Sequence, residues 1–103
     1  MMYNGADMEK INMAEISGKS ADLKCLANEH RLAIVMYLKN KKSASVGEIA
    51  DHLSASVSFK ATSKHLAILE KGGVLACRSD GPFMIYSISA DSSAFLKHLI
   101  SLF

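Results

Sequence analysis

Lys60 and Lys64 stand one helical turn apart in the stretch VSFKATSKHLAILEKGGV, residues 57–74, with Ser58 and Ser63 beside them. Ammonium groups and hydroxyls at that spacing can hold phosphate oxygens or reach base edges, and no carboxylate intrudes until Glu70. The stretch reads as one helix closed by Gly72 and Gly73. Phe59, Thr62, Leu66 and Leu69 form an inward stripe, while Lys60, Ala61, Ser63, Lys64, Ala67 and Lys71 fall mostly on other faces. Free backbone N–H groups and the positive end of the helix dipole at its N-terminus also favour a phosphate. The same residues equally describe an amphipathic surface helix with a solvated lysine face, so the neighbouring segments decide between the two readings.

No catalytic constellation competes with this one. His30, His52, His65 and His98 are dispersed, no nucleophile stands beside a base in a recognisable motif, and no Gly-rich phosphate loop occurs. An enzyme is the weakest reading. Cys25 and Cys77 lie far apart without CxxC spacing, and no apolar run has signal-peptide or transmembrane length. A reduced, soluble, cytoplasmic protein without a membrane partner is expected. With half its 103 residues hydrophobic, the chain supports one modest core and therefore one domain, 1–103. The net charge of +2 is too small to bind nucleic acid by itself, so affinity must come from local placement of charge.

The remaining elements are those that must position the lysines. Residues 1–7 read as a frayed tail, followed by a weak apolar stripe of Met8, Ile11 and Ile16 in an acidic setting. Helix continues after Gly18 through SADLKCL, with Leu23, Leu26 and Cys25 turned inward. Asn28 then caps EHRLAIVMYLK, whose Leu32, Ile34, Val35, Met36 and Leu38 cover most of its circumference and place it at the centre of the core. Asn40, Lys41 and Lys42 make a basic connection. Ser45 and Glu48 form a capping-box pair opening VGEIADHL, with Ile49, Ala50 and Leu53 inward. After the small-residue turn SASV comes the lysine helix. Short helix, turn and longer helix give the order of a helix-turn-helix over 46–72.

Two runs rich in β-formers, VLACRS and FMIYSIS, flank Asp80-Gly81-Pro82 and predict a β-hairpin, or wing, over 74–88. With Asp80 and Gly81 as turn residues, Ser79 pairs with Pro82, Arg78 with Phe83, Cys77 with Met84, Ala76 with Ile85 and Leu75 with Tyr86. Leu75, Cys77, Met84 and Tyr86 then share the core face. Pro82 opens the returning strand, which requires a free edge there. The last helix, 91–103, is capped by Asp91 or Ser92. Phe95, Leu96, Leu99, Ile100, Leu102 and Phe103 cover more than one side of it, which implies a second partner. Together with Met8 and Ile11, Phe95, Leu99, Leu102 and Phe103 read as a homodimer surface.

Over residues 21–88 the segments LKCLANEHRLAIVMYL, VGEIADHL and SFKATSKHLAILEKGGVL, with the hairpin ending in Tyr86, resemble the winged-helix repressors of the arsenic-sensor (ArsR) type. LANEHRL and the S-x-H-L-x-x-L-x-x-x-G block from Ser63 to Gly73 carry the likeness. The resemblance implies a mainly α fold with a small β-hairpin, and a homodimer joined through its N- and C-terminal helices. It also implies repression at an inverted-repeat operator in double-stranded DNA, relieved by an inducer. Ser58, Lys60, Ala61, Ser63 and Lys64 would lie on the reading helix and Arg78 near the wing tip. His65 matches the family histidine, as a packed residue or a ligand, and Arg31 either ties helices together or reaches a phosphate.

Departures from the family are informative. Ser45 and Gly47 occupy the places of the C-V-C cysteines, and neither supplies a thiolate for a soft metal. At the C-terminal site Asp91 fits, but Ser93 replaces the histidine, and His98 alone cannot supply the convergent donors a metal needs. No metal and no cofactor are expected. Cys25 and Cys77 are too distant to pair within one subunit, which leaves only a bridge between subunits. Asp80 and Pro82 make the wing tip less basic than in many members. That, with the small net charge, sustains an alternative: a winged-helix protein-interaction module with little DNA affinity.

Overall fold

A computed structural model describes residues 10–53 and 57–103. The expected tail 1–7, the interface residue Met8 and most of the SASV turn lie outside them. The element order is α1 Met13–Leu26, α2 Glu29–Lys41, β1 Ser43–Ser45, α3 Val46–Leu53, α4 Phe59–Lys71, β2 Leu75–Asp80, β3 Phe83–Ile88 and α5 Ala94–Ser101.

Short polar residues start the helices. Asn12 Oδ1 accepts from Glu15 N and caps α1, which runs unbroken through Gly18. Asn28 Oδ1 accepts from His30 N and Arg31 N at the head of α2. The capping box is reciprocal: Ser45 N donates to Glu48 Oε1 at 2.9 Å and Glu48 N to Ser45 Oγ at 3.1 Å. Those bonds hold the Glu48 carboxyl below its ordinary range. Neither Asp91 nor Ser92 caps α5. Ser93 does, accepting from Leu96 N at 3.1 Å, so the helix begins later and spans 94–101. Ser92 is instead buried, its hydroxyl donating to Ser89 O and Gly73 O, which ties the approach to α5 to the end of α4.

The sheet is antiparallel with strand order β1-β3-β2. In β1, Ser43, Ala44 and Ser45 face Ser87, Tyr86 and Ile85; the sequence carries no sign of this strand, because three residues leave no periodicity to read. Its presence makes β3 the central strand over residues 85–87, and the hairpin register also differs from that expected. With Asp80 and Gly81 as the turn, Pro82 would have to donate an N–H to Ser79 in the pair that closes it; proline has none, so the register slides until Gly81 and Pro82 form the turn. Asp80 then faces Phe83, Ser79 Met84, Arg78 Ile85, Cys77 Tyr86, Ala76 Ser87 and Leu75 Ile88. Gly81, at φ +61, leads the turn as a type II′ geometry requires. The slide preserves which residues share a face, but only part of the expected core side is covered. Leu75 is buried, Cys77 and Tyr86 are half-buried, and Met84 is 46% exposed.

One continuous core joins Cys25 and Leu26 of α1, Ile34, Val35 and Leu38 of α2, Ala44, Ile49 and Leu53, Leu66 and Leu69 of α4, Val74 and Leu75, and Leu96 and Ile100 of α5. Leu23 and Met36, expected inside, are exposed. Lys39 Nζ donates to the carbonyls of Ile100, Ser101 and Phe103, fixing the negative end of α5 against α2.

Candidate nucleic-acid interface

The orientation of the lysine helix, α4, is set by its buried stripe. Thr62, Leu66 and Leu69 are fully covered, and the Thr62 hydroxyl is satisfied by Ser58 O at 3.0 Å, so a polar residue sits in the core without cost. Phe59 does not extend that stripe. It is 60% exposed because the first turn of α4 projects past the core. Ser58 is the N-cap, its Oγ accepting from Ala61 N at 3.1 Å, which commits one lone pair of a residue expected to touch DNA. Lys60 and Lys64 are exposed, and Ala61 and Ser63 between them are half-buried. Five of the six expected DNA-contacting residues thus lie together along the N-terminal half of α4.

The sixth, Arg78, is exposed on β2, where its guanidinium lies 4.0 Å from the Asp80 carboxylate. Both side chains are well solvated, so the pair is loose. The carboxylate still offsets part of the positive charge the wing could offer. Between the wing and the helices runs a groove walled by Ser45, Val46, Gly47, Phe59, Ser63, Pro82, Phe83 and Met84. Its aromatic wall is hidden from the sequence because periodicity places Phe59 in the core stripe. Phe83 falls on the outer face of the hairpin, where the sequence shows no neighbour for it.

Behind α4, Arg31 joins three helices. Nε donates to Cys25 O at 2.6 Å and NH2 to Lys24 O at 3.3 Å, capping α1, while NH1 lies 3.2 Å from His65 Nδ1. A guanidinium only donates, so Nδ1 accepts and the ring proton sits on Nε2. Burial, then the positive charges of Arg31, His30 and Lys64, lower the His65 pKa from its usual value near 6.5. Of the two roles open to Arg31, tying helices is the one it fills. His65 serves that tie as an acceptor.

The positions that hold metal in the family are otherwise engaged here. Ser45 Oγ belongs to the capping box and Ser93 Oγ donates to Asp22 Oδ2 at 3.1 Å. Among the described residues no three His, Cys, Asp or Glu side chains converge. Cys25 is buried against Ile68 O and Gly72, and burial pushes its thiol pKa up. Cys77 stands half-buried on the wing, and both thiols are free. Among the described residues no helix is long and apolar enough to cross a membrane.

Comparison with known proteins agrees with this geometry. A family model described as a helix-turn-helix domain matches residues 26–78, from the end of α1 into β2. The transcriptional activator HlyU of Vibrio cholerae is 37% identical over 87 residues, 84% of this chain and 78% of the relative. Its solved structure matches with a TM-score of 0.74 at 33% identity, covering 85% of this chain and 89% of that one. The transcriptional repressor PagR of Bacillus anthracis gives 0.72 at 26% identity over 88% and 98% of the two chains. A possible transcriptional regulator for arsenical resistance gives 0.67 at 28% identity over 80% and 82%. With its helix-turn-helix, its three-stranded wing sheet and these relatives, the chain belongs to the DNA-binding winged helix-turn-helix transcriptional regulators of the ArsR type.

Proposed function

We propose that this regulator binds an inverted-repeat operator as a homodimer and represses from it, with Lys60, Lys64, Ser58, Ala61 and Ser63 meeting the duplex and Arg78 touching its backbone. The observation that carries this reading is the pair of exposed lysines on α4, held outward by the buried Thr62, Leu66 and Leu69. Dimerisation rests on apolar surface that one subunit does not cover. Ile11 and Leu102 are each 68% exposed, and Phe103 is 39% exposed. α1 and α5 are already coupled through Ser93 to Asp22 and through Lys19, whose ammonium lies 5.6 Å from the centre of the Phe95 ring. Leu99 divides its surface between this face and the core. Repression follows from occupancy, since a dimer on an operator obstructs transcription unless an inducer lowers its affinity. HlyU is an activator and PagR a repressor, so the position of the operator relative to its promoter sets the sense. The site of action is the cytoplasm.

The test is selection from random duplexes at two salt concentrations. An inverted repeat with half-sites about one turn apart, roughly 34 Å, is expected. Replacing Lys60 and Lys64 by Ala should weaken binding and lower the salt slope by about one for each phosphate left without its lysine. An unchanged affinity and slope would remove α4 as the reading helix. Retention of no duplex by the wild-type protein would point to a protein partner instead, a reading the Arg78–Asp80 pair at the wing tip keeps in view.

A further inference from the structure

Three large apolar side chains are grouped in water beside the reading helix. Phe59 is 60% exposed, Phe83 59% and Met84 46%, and all three residues border one groove, whose other walls are Ser45, Val46, Gly47, Ser63 and Pro82. Among the described residues nothing requires Phe59 to be aromatic, because the core stripe of α4 runs through Thr62, Leu66 and Leu69 without it. A cluster of this kind marks a surface that another molecule covers.

Its placement names the occupant. The groove is continuous with the face of α4 that carries Lys60, Ala61 and Lys64, since Ser63 belongs to both. Its lining holds no ammonium, guanidinium or carboxylate, so a phosphate would be desolvated there without a charged partner. What a DNA duplex offers an aromatic side chain at such a place is the 5-methyl group of thymine, the apolar feature of base edges in the major groove.

We infer that Phe59 is a specificity residue that reads a thymine 5-methyl group in each half-site, with the start of β3 forming the opposite wall. The inference rests on the DNA-reading role proposed above for α4. Pressing the methyl against the ring removes apolar surface from water on both sides, and a base without that methyl gains nothing from Phe59.

The experiment replaces half-site thymines of the selected operator, one position at a time, by deoxyuridine, which removes the methyl and keeps every hydrogen-bonding group. For the wild-type protein one position should weaken binding about fourfold per half-site and about fifteenfold when changed in both. Phe59→Ala should bind the thymine and uracil duplexes equally, and Phe59→Leu should retain part of the discrimination. Phe59 is exposed, so matching circular-dichroism melts should confirm that both variants fold. Equal binding of thymine and uracil duplexes by the wild-type protein at every position would overturn the inference, as would full discrimination by Phe59→Ala. Either result, with the Lys60 and Lys64 substitutions still lowering affinity, would leave the DNA-reading role intact. Failure of the wild-type protein to retain any duplex would overturn both.

Discussion

At the scale of single residues, His65 shows how a motif residue becomes structural. Its Nδ1 accepts from Arg31 only while the ring is neutral, and burial and three nearby cations lower its pKa. The unfolded chain therefore takes up the proton first as pH falls below about 6.5, so this contribution to stability is complete above that value. It is lost as pH falls toward the lowered folded pKa. The urea midpoint of the wild-type protein should fall between about pH 7.5 and pH 5.5, and His65→Gln should fall less. Equal falls would mean that His65 protonates without loss to the fold. From sequence His65 reads more readily as a packed residue than as a ligand, but its partner is hidden, because only the folded chain brings Arg31 against it. Lys60 and Lys64 are more legible, since their exposure follows from which residues of one helix are apolar.

At the scale of elements, the end of α4 is legible from Gly72 and Gly73, and the structure divides their work. Gly73 N donates to Glu70 O and Val74 N to Leu69 O, a Schellman closure with Gly73 at φ +79. Gly72, at φ −78, needs no special backbone freedom. Its constraint is space, because a Cβ there would lie 2.7 Å from Cys25 Sγ and 3.3 Å from Ile68 O. Gly72→Ala should destabilise the protein by about 1–3 kcal/mol through overpacking. Combined with Cys25→Ala it should cost less than the two single changes together, by about 0.5 kcal/mol or more, measured by chemical denaturation. Strict additivity would show that α1 and α4 do not compete for that space. Capping boxes and N-caps are readable because their partners lie within a few residues. The hairpin register follows from Pro82, which has no N–H for the pair that would close an Asp80-Gly81 turn, whereas the third strand, from residues 43–45, leaves no such local mark.

At the scale of the whole molecule, only Cys25 and Leu26 of the fourteen residues of α1 are buried, while Ile11, Met13, Ile16 and Leu23 stay exposed at its start and along it. A helix of this length is marginal in water without packing partners, and the exposed Leu102 and Phe103 lie at the far end of α5. If the proposed dimer forms through this face, Leu102→Glu should shift the sedimenting species toward monomer and weaken operator binding, while circular dichroism keeps the helical content of the fold. An unchanged sedimentation coefficient would place the dimer contact elsewhere. Changing Leu99 is a poorer test, because its packing on the core would be lost as well. What the sequence by itself determined were the helices, the caps at Asn28 and Ser45 and the helix-turn-helix order, since caps, periodicity and Gly-rich ends act between residues close along the chain. Tertiary structure alone decided the third strand, the neutral His65 beside Arg31, and the grouping of Phe59 with Phe83 and Met84. Each of these depends on residues far apart in the chain, whose meeting is set by how the core closes rather than by local preference.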